Sequence, residues 1–179
     1  MTSMKALVVY ESMFGNTGLV ARAVAKGLAE NLEVRVLEVT EAPAPITEML
    51  DLLVVGGPTH AFSMSRSTTR EDARTQGASE GDTAMGIREW LEHLHAGPHS
   101  ESVARFDTRV EKVRHLPGSA ARAARKVVKK LGYAPMARAE SFYVFGTDGP
   151  LLEGELARAE AWGRQLGIEV KRRAHQPTI

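Results

Sequence analysis

A strand, a loop and a helix follow one another without interruption between residues 5 and 30. The apolar run at 5–10 predicts a buried strand, and apolar residues at helical spacing predict a helix over 16–30. The start of a helix offers unpaired N–H groups and the positive end of the peptide dipoles. The loop can therefore hold an anion such as a phosphate although it contains no Lys or Arg. The loop residues that could form this site are Ser12, Met13, Phe14, Gly15, Asn16 and Thr17.

This loop differs from the two common nucleotide-binding loops. It lacks the Lys of a Gly-x-x-x-x-Gly-Lys-Ser/Thr loop, and it offers only Gly15 and Gly18 to a Gly-x-Gly-x-x-Gly fingerprint. What remains is a neutral cradle of hydroxyl, amide and backbone N–H groups. An ordinary βα turn, with Ser12 or Asn16 capping the helix, explains the same residues, so both interpretations stay open on this pattern alone.

The composition narrows the class of protein. A length of 179 residues predicts one domain, 1–179, with room for a sizeable core. The absence of Cys excludes disulfides, thiolate metal sites and a redox dithiol. No apolar run approaches the ~20 residues of a membrane span, and no signal peptide precedes the first strand, so we expect a cytoplasmic protein. We expect no metal site either, because the spacing of His93, His95 and His99 does not suit helical ligands.

The net charge of +1 conceals a strongly basic segment. Residues 105–138 hold ten Lys and Arg against only Asp107 and Glu111, whereas the rest of the chain is acidic. This segment is either solvated surface or a docking site for an acidic protein, a phosphorylated cofactor such as NADPH, or nucleic acid. No aromatic residue lies between Arg109 and Lys130 to stack on bases, so we expect no nucleic-acid partner.

Strand and helix patterns alternate along the chain, which predicts an α/β fold with a parallel sheet. We expect a three-layer, doubly wound, five-stranded sheet in the order 2-1-3-4-5, with ligands at the carboxyl ends of the strands where the order reverses. The long loop 58–82 contains at most a short helix at 68–75 and is interpreted as a lid or surface loop. The predicted strands are 5–10, 33–39, 51–57, 103–108 and 140–146, and the other predicted helices are 16–30, 83–95, 118–131 and 153–166.

Two motifs on this framework resemble the flavodoxin-like family. The first strand is followed by a Gly15-Asn16-Thr17 helix opening, within the matching segment 10–17. The third strand ends in Gly56-Gly57-Pro58-Thr59-His60, which is comparable to the Gly-x-Pro-Thr turn of that family. The order of elements is similar over about residues 5–166.

The resemblance implies that the chain binds flavin mononucleotide (FMN). Ser12, Met13, Phe14, Gly15, Asn16 and Thr17 would then surround its phosphate. The residues that would border its ring system are Pro58, Thr59, His60, Phe62, Thr108 and Arg109.

The chain also departs from the family pattern in two ways. The ring-bordering loops contain no Tyr or Trp, which flavodoxins commonly stack on the flavin. The ring edge would be flanked by Arg109, Lys112 and Arg114, whereas electron-carrier flavodoxins are typically acidic. Positive charge there should favour the reduced flavin anion.

Three functions remain open. The resemblance implies an electron-transfer protein that passes electrons between a reductase and an acceptor, with an acidic redox partner docking on the basic segment 105–138. The second is an NAD(P)H-dependent FMN oxidoreductase acting on a quinone or similar acceptor, with Arg109, Lys112 and Arg114 holding the nicotinamide cofactor. The third is a flavin-free interaction module. No residue is assigned a catalytic role.

Overall fold

The structure, a computed structural model, describes residues 3–176 and is built around a mostly parallel sheet. Five parallel strands lie in the order β2-β1-β3-β5-β7, which confirms the predicted order of the main strands. The strands are β1 (Lys5–Tyr10), β2 (Glu33–Glu38), β3 (Leu52–His60), β4 (Ser63–Met64), β5 (Ser102–Val110), β6 (Ala134–Pro135), β7 (Glu140–Gly146) and β8 (Gly149–Leu151).

Helices cover both faces of this sheet. Because side chains alternate along a strand, Ala6 and Val8 of β1 enter one apolar core and Leu7 and Val9 enter another. The first core also contains residues of α1 and α5, and the second contains residues of α3 and α4, so three layers form as predicted. The helices are α1 (Asn16–Leu28), α2 (Ser67–Thr75), α3 (Ile87–Glu92), α4 (Ala120–Leu131) and α5 (Glu155–Ala174), with a 3-10 turn at Glu111–Val113.

Three short strands were not predicted. β8 pairs antiparallel with β7 at the edge of the sheet. β4 folds back on β3 as a hairpin, and β6 pairs with β5. The predicted loop 58–82 therefore begins inside a hairpin, because residues 58–60 continue β3 and residues 63 and 64 pair with its end.

Helix boundaries differ from the predictions where side chains bond the backbone. A helix was expected from residue 83, but Asp82 Oδ1 accepts hydrogen bonds from the N–H groups of Ala84 (2.6 Å) and Met85 (2.8 Å), which forms a turn there. α3 therefore begins only at Ile87. At the other end of the chain α5 continues to Ala174 instead of ending near 166, because Val170 extends its buried stripe. None of the helices within residues 3–176 combines the length and the hydropathy that crossing a membrane requires.

Candidate functional site

A cleft of about 310 Å³ opens at the carboxyl ends of β3 and β5, beside the start of α1. This is the point where the strand order reverses between β1 and β3, as expected for a doubly wound sheet. The volume lies within the range of small-molecule sites. The predicted site residues that line the cleft are Met13, Phe14, Asn16, Thr17, Pro58, Thr59, His60, Thr108 and Arg109.

The loop before α1 presents a run of unpaired backbone amides. Gly15 precedes the helix with a φ of 90°, a left-handed conformation that glycine adopts readily. Among the described residues, no acceptor pairs with the N–H groups from Met13 to Thr17. Such a run of donors at the N-terminus of a thirteen-residue helix can bind an anion.

Ser12 and Gly15 belong to this loop but do not line the cleft. Ser12 is buried, and its Oγ accepts a hydrogen bond from the Gly18 N–H at 3.2 Å. Ser12 therefore supports the first turn of α1, as the capping interpretation requires, while the amides that follow it remain available.

Two side chains hold the start of α1 against neighbouring strand ends. The hydroxyl groups of Thr17 and Thr108 are 2.7 Å apart and buried. Asn16 Nδ2 donates to the Asp148 carbonyl at 3.1 Å, and its amide lies so close to Gly149 that a Cβ there would approach Asn16 Nδ2 to 2.7 Å. The start of α1 is thus held by β5 and by the turn between β7 and β8, and not by the helix alone.

Helix α2 forms one wall of the cleft; a short helix at 68–75 in a lid or surface loop was predicted, but none of its residues was assigned to the site. Residues spaced three and four apart lie on one face of a helix. The spacing of 69, 72, 73 and 76 could therefore have indicated a common face once a helix at 67–75 was assumed. The wall is joined to β3 because His60 Nδ1 lies 3.2 Å from Thr69 Oγ1. Burial, aided by the charge of Arg70, lowers the pKa of His60, so its imidazole is neutral at pH 7. The wall residues are Thr69, Asp72, Ala73 and Gln76.

Phe62, expected beside the ring, does not line the cleft. It forms the turn of the β3–β4 hairpin with Ala61, and both residues have positive φ, at 61° and 47°. Two-residue hairpin turns require such angles, which cost roughly 1–2 kcal/mol for a residue other than glycine. The turn places Ala61 in the cleft and leaves Phe62 46% exposed.

Arg109 is a buried cation at the cleft. It lies one residue before the end of β5, and its Nη2 donates to the carbonyls of Val113 (2.6 Å) and Leu116 (3.2 Å). Its Nε is buried without a hydrogen-bond partner among the described residues. Lys112 and Arg114, expected beside it, do not line the cleft: Arg114 pairs with Glu111, and Lys112 Nζ lies 5.8 Å from the centre of the Phe145 ring.

A buried polar network beneath the cleft anchors segment 63–89, and sequence reasoning missed it. Glu11 is fully buried and accepts hydrogen bonds from Ser65 Oγ and from the Ile87 N–H (2.8 Å). Arg70 is also fully buried; its Nη1 donates to Ser65 Oγ (2.7 Å), and its Nη2 lies 3.0 Å from Glu89 Oε2. Burial raises the pKa of Glu11. The cleft wall is therefore tied to the end of β1 and is not a loose surface loop.

No protein-family model matches the chain, and no curated protein is similar enough in sequence to count as a match. Solved structures do match. A flavodoxin from the domain Archaea shares 19% identity with a TM-score of 0.62, covering 94% of this chain and 99% of its own. Flavodoxin 1 from Bacillus cereus shares 17% with a TM-score of 0.61, covering 97% and 99%. A diflavin flavoprotein A3 from Nostoc sp. shares 16% with a TM-score of 0.55, covering 98% and 100%.

These likenesses extend over almost all of each compared chain and agree with the strand order and the three layers described above. At this level of identity the comparisons show the fold alone, so the function has to be argued from the residues of the site. The chain has the flavodoxin-like fold.

Proposed function

We propose that this chain is an FMN-binding electron-transfer protein that acts as a single flavodoxin-like domain in the cytoplasm. The observation that carries the proposal is the run of unpaired N–H groups from Met13 to Thr17, which opens at the start of α1 beside the cleft. A phosphate monoester carries about −1.5 to −2 charges at neutral pH, and amide groups at a helix start can meet that charge without a cation.

The rest of the cleft suits the remainder of the cofactor. Pro58, Thr59 and His60 would border one side of the ring system, and Thr108 and Arg109 would border the other. Phe14, a residue of the phosphate loop, adds an aromatic side chain to the lining of the cleft. Because Arg109 lines the cleft, its guanidinium would place a positive charge beside the ring system. When bound, FMN would supply the redox chemistry, while the protein would position it and restrict water.

The proposed partners are proteins: a reductase that delivers electrons and an acceptor that removes them. The basic segment 105–138 is where we expect an acidic partner to dock. The alternative of an NAD(P)H-dependent oxidoreductase has less support, because Lys112 and Arg114, two of the three cations assigned to its second cofactor, do not line the cleft. Arg114 pairs with Glu111 instead.

The test compares FMN with riboflavin, which lacks the phosphate, by absorption spectroscopy and calorimetry. We expect FMN to bind far more tightly than riboflavin, because only FMN reaches the amides of the first loop. Protein that stays colourless with excess FMN and gives no heat would contradict the proposal. NADPH oxidation in the presence of a quinone, without added reductase, would favour the oxidoreductase instead.

A matched pair of glycine variants sharpens this test. Gly15 and Gly154 both precede a helix in a left-handed conformation, with φ of 90° and 84°. A Cβ on Gly154 meets no atom within 4 Å. Gly15→Ala and Gly154→Ala should each lose about 1–2 kcal/mol of stability through backbone strain, but only Gly15→Ala should weaken FMN binding.

A further inference from the structure

The outer face of α4 carries cations that its own chain does not neutralise. Ala121, Ala124 and Val128 face the core, which leaves the charged residues exposed. Within residues 3–176, no ion pair joins any of these cations to a carboxylate. The exposed cations are Arg122, Arg125, Lys126, Lys129 and Lys130.

The arginines of α5 show the opposite arrangement. Arg158, Arg164, Arg172 and Arg173 each pair with at least one glutamate. The α4 cations therefore stand together on one exposed helix face without the glutamate partners that these four arginines of α5 have.

Helix α4 begins at the cleft. The Ala120 N–H donates to Oγ1 of Thr59, a cleft-lining residue, at 2.9 Å. The Ala121 N–H donates to the buried carboxylate of Asp107 at 3.0 Å, which fixes the first turn to β5. The positive face thus extends outward from the edge of the cleft.

Three exposed apolar residues adjoin residues that line the cleft, either in sequence or through a hydrogen bond to the backbone. Phe62 is 46% exposed, Leu116 48% and Phe145 64%. Each is linked to a cleft-lining residue: Phe62 and Phe145 follow Ala61 and Val144 in sequence, and the Leu116 carbonyl accepts from Arg109. Exposed apolar residues beside a polar rim are typical of protein-docking surfaces.

We propose that the exposed face of α4, together with Phe62, Leu116 and Phe145, docks an acidic electron-transfer protein; the redox role of that partner rests on the proposed function. The segment 111–130 contains seven Lys and Arg against the single carboxylate of Glu111, so the complementary surface is negative. The apolar residues at the cleft would seat the partner where electrons leave the cofactor, and the α4 cations would steer it there.

The test uses acidic cytochrome b5 as the probe and basic cytochrome c as the comparison, in calorimetric titrations at low and high salt. The variant Arg125→Glu/Lys129→Glu reverses two cations of α4. The control Arg22→Glu/Lys171→Glu reverses two exposed cations of α1 and α5. Lys171 lies in the last turn of α5, as Lys129 lies in the last turn of α4. We expect the α4 variant to weaken cytochrome b5 binding by about tenfold and the control by less than about twofold, with binding that declines as salt rises.

Equal losses in the two variants, unchanged binding in the α4 variant, or preferential binding of cytochrome c would overturn the proposal. Tighter, α4-dependent binding of a single-stranded oligonucleotide would overturn it in favour of nucleic acid. The titrations are repeated on protein that has not received FMN, because docking measured in this way does not need the flavin. If protein that stays colourless with excess FMN still docks cytochrome b5 through α4, the cofactor assignment has failed and the docking surface has not. If protein that binds FMN does not dock cytochrome b5, the docking surface has failed and the cofactor assignment has not.

Discussion

The hydroxyl groups of Thr17 and Thr108 meet at 2.7 Å across 91 residues of sequence, and the contact is buried. It joins the first turn of α1 to the end of β5, the two elements that border opposite parts of the cleft. We expect Thr108→Val to weaken FMN binding about fivefold, the equivalent of about 1 kcal/mol for one hydrogen bond, because Thr17 loses the contact that orients its hydroxyl. Calorimetry measures this change.

Thr147→Val is the control for that prediction. Thr147 also lines the cleft but is exposed and contributes no such contact to α1. Equal effects of the two valine substitutions would show that Thr108 does not act through Thr17.

Glu80 places a negative charge beside the proposed phosphate site. A Cβ built on Gly15 would lie 3.1 Å from Glu80 Oε1, so the carboxylate approaches the same loop that presents the amides. Because like charges repel, Glu80→Gln should tighten FMN binding about fivefold at low salt and should leave riboflavin binding unchanged. Glu71→Gln, an exposed residue of α2 that does not line the cleft, is the matched control. A gain shared by riboflavin would indicate a change in the cleft and not in phosphate repulsion.

Arg109 should make bound FMN easier to reduce. Arg109 lines the cleft, its guanidinium donates to two loop carbonyls, and among the described residues no carboxylate forms an ion pair with it. Arg109→Gln should lower the reduction potential on the order of 50 mV, which corresponds to a few kcal/mol for two electrons. Potentiometric titration measures the shift. Lys112→Gln removes a cation that lies over the Phe145 ring, and this variant should change the reduction potential much less.

His60 should make stability depend on pH in a defined direction. Its pKa is lowered from 6.5 in the folded protein, mainly by burial, so the unfolded chain takes up a proton at a higher pH than the folded one. The free energy of unfolding therefore falls as pH drops below 6.5, and His60→Gln should reduce that slope by up to about 1.4 kcal/mol per pH unit. Urea unfolding from pH 7.5 to about pH 5 measures both slopes. Parallel curves for the two proteins would contradict this prediction.

Among the residues replaced in these predictions, Arg70 should cause the largest loss in the free energy of unfolding. It is fully buried and bonds Ser65, the Thr83 carbonyl and Glu89. Arg70→Met leaves buried polar groups without a partner, so we expect a loss of about 3–5 kcal/mol in the free energy of unfolding. Arg22→Met, at an exposed position of α1, should change it by less than about 0.5 kcal/mol. A loss below about 1 kcal/mol for Arg70→Met would show that the network does not anchor the cleft wall.

Local patterns in the sequence determined the framework of this protein. Runs such as Leu52 to Val55 are apolar on both faces, which requires a strand between two helical layers, and the alternation of strands and helices indicated a parallel sheet. The glycine and hydroxyl groups after β1 indicated an anion site because a helix start has the same donors in any fold.

The tertiary structure decided which side chains meet. Glu11 bonds Ser65 and Ile87, 54 and 76 residues away, and no periodicity within one element encodes such contacts. The orientation of Arg109 depends on carbonyls of the loop that follows it, and Phe62 leaves the cleft because a hairpin turn rotates it outward. Burial patterns are a property of each segment, whereas hydrogen-bond partners depend on how distant segments pack, so only the folded chain assigns them.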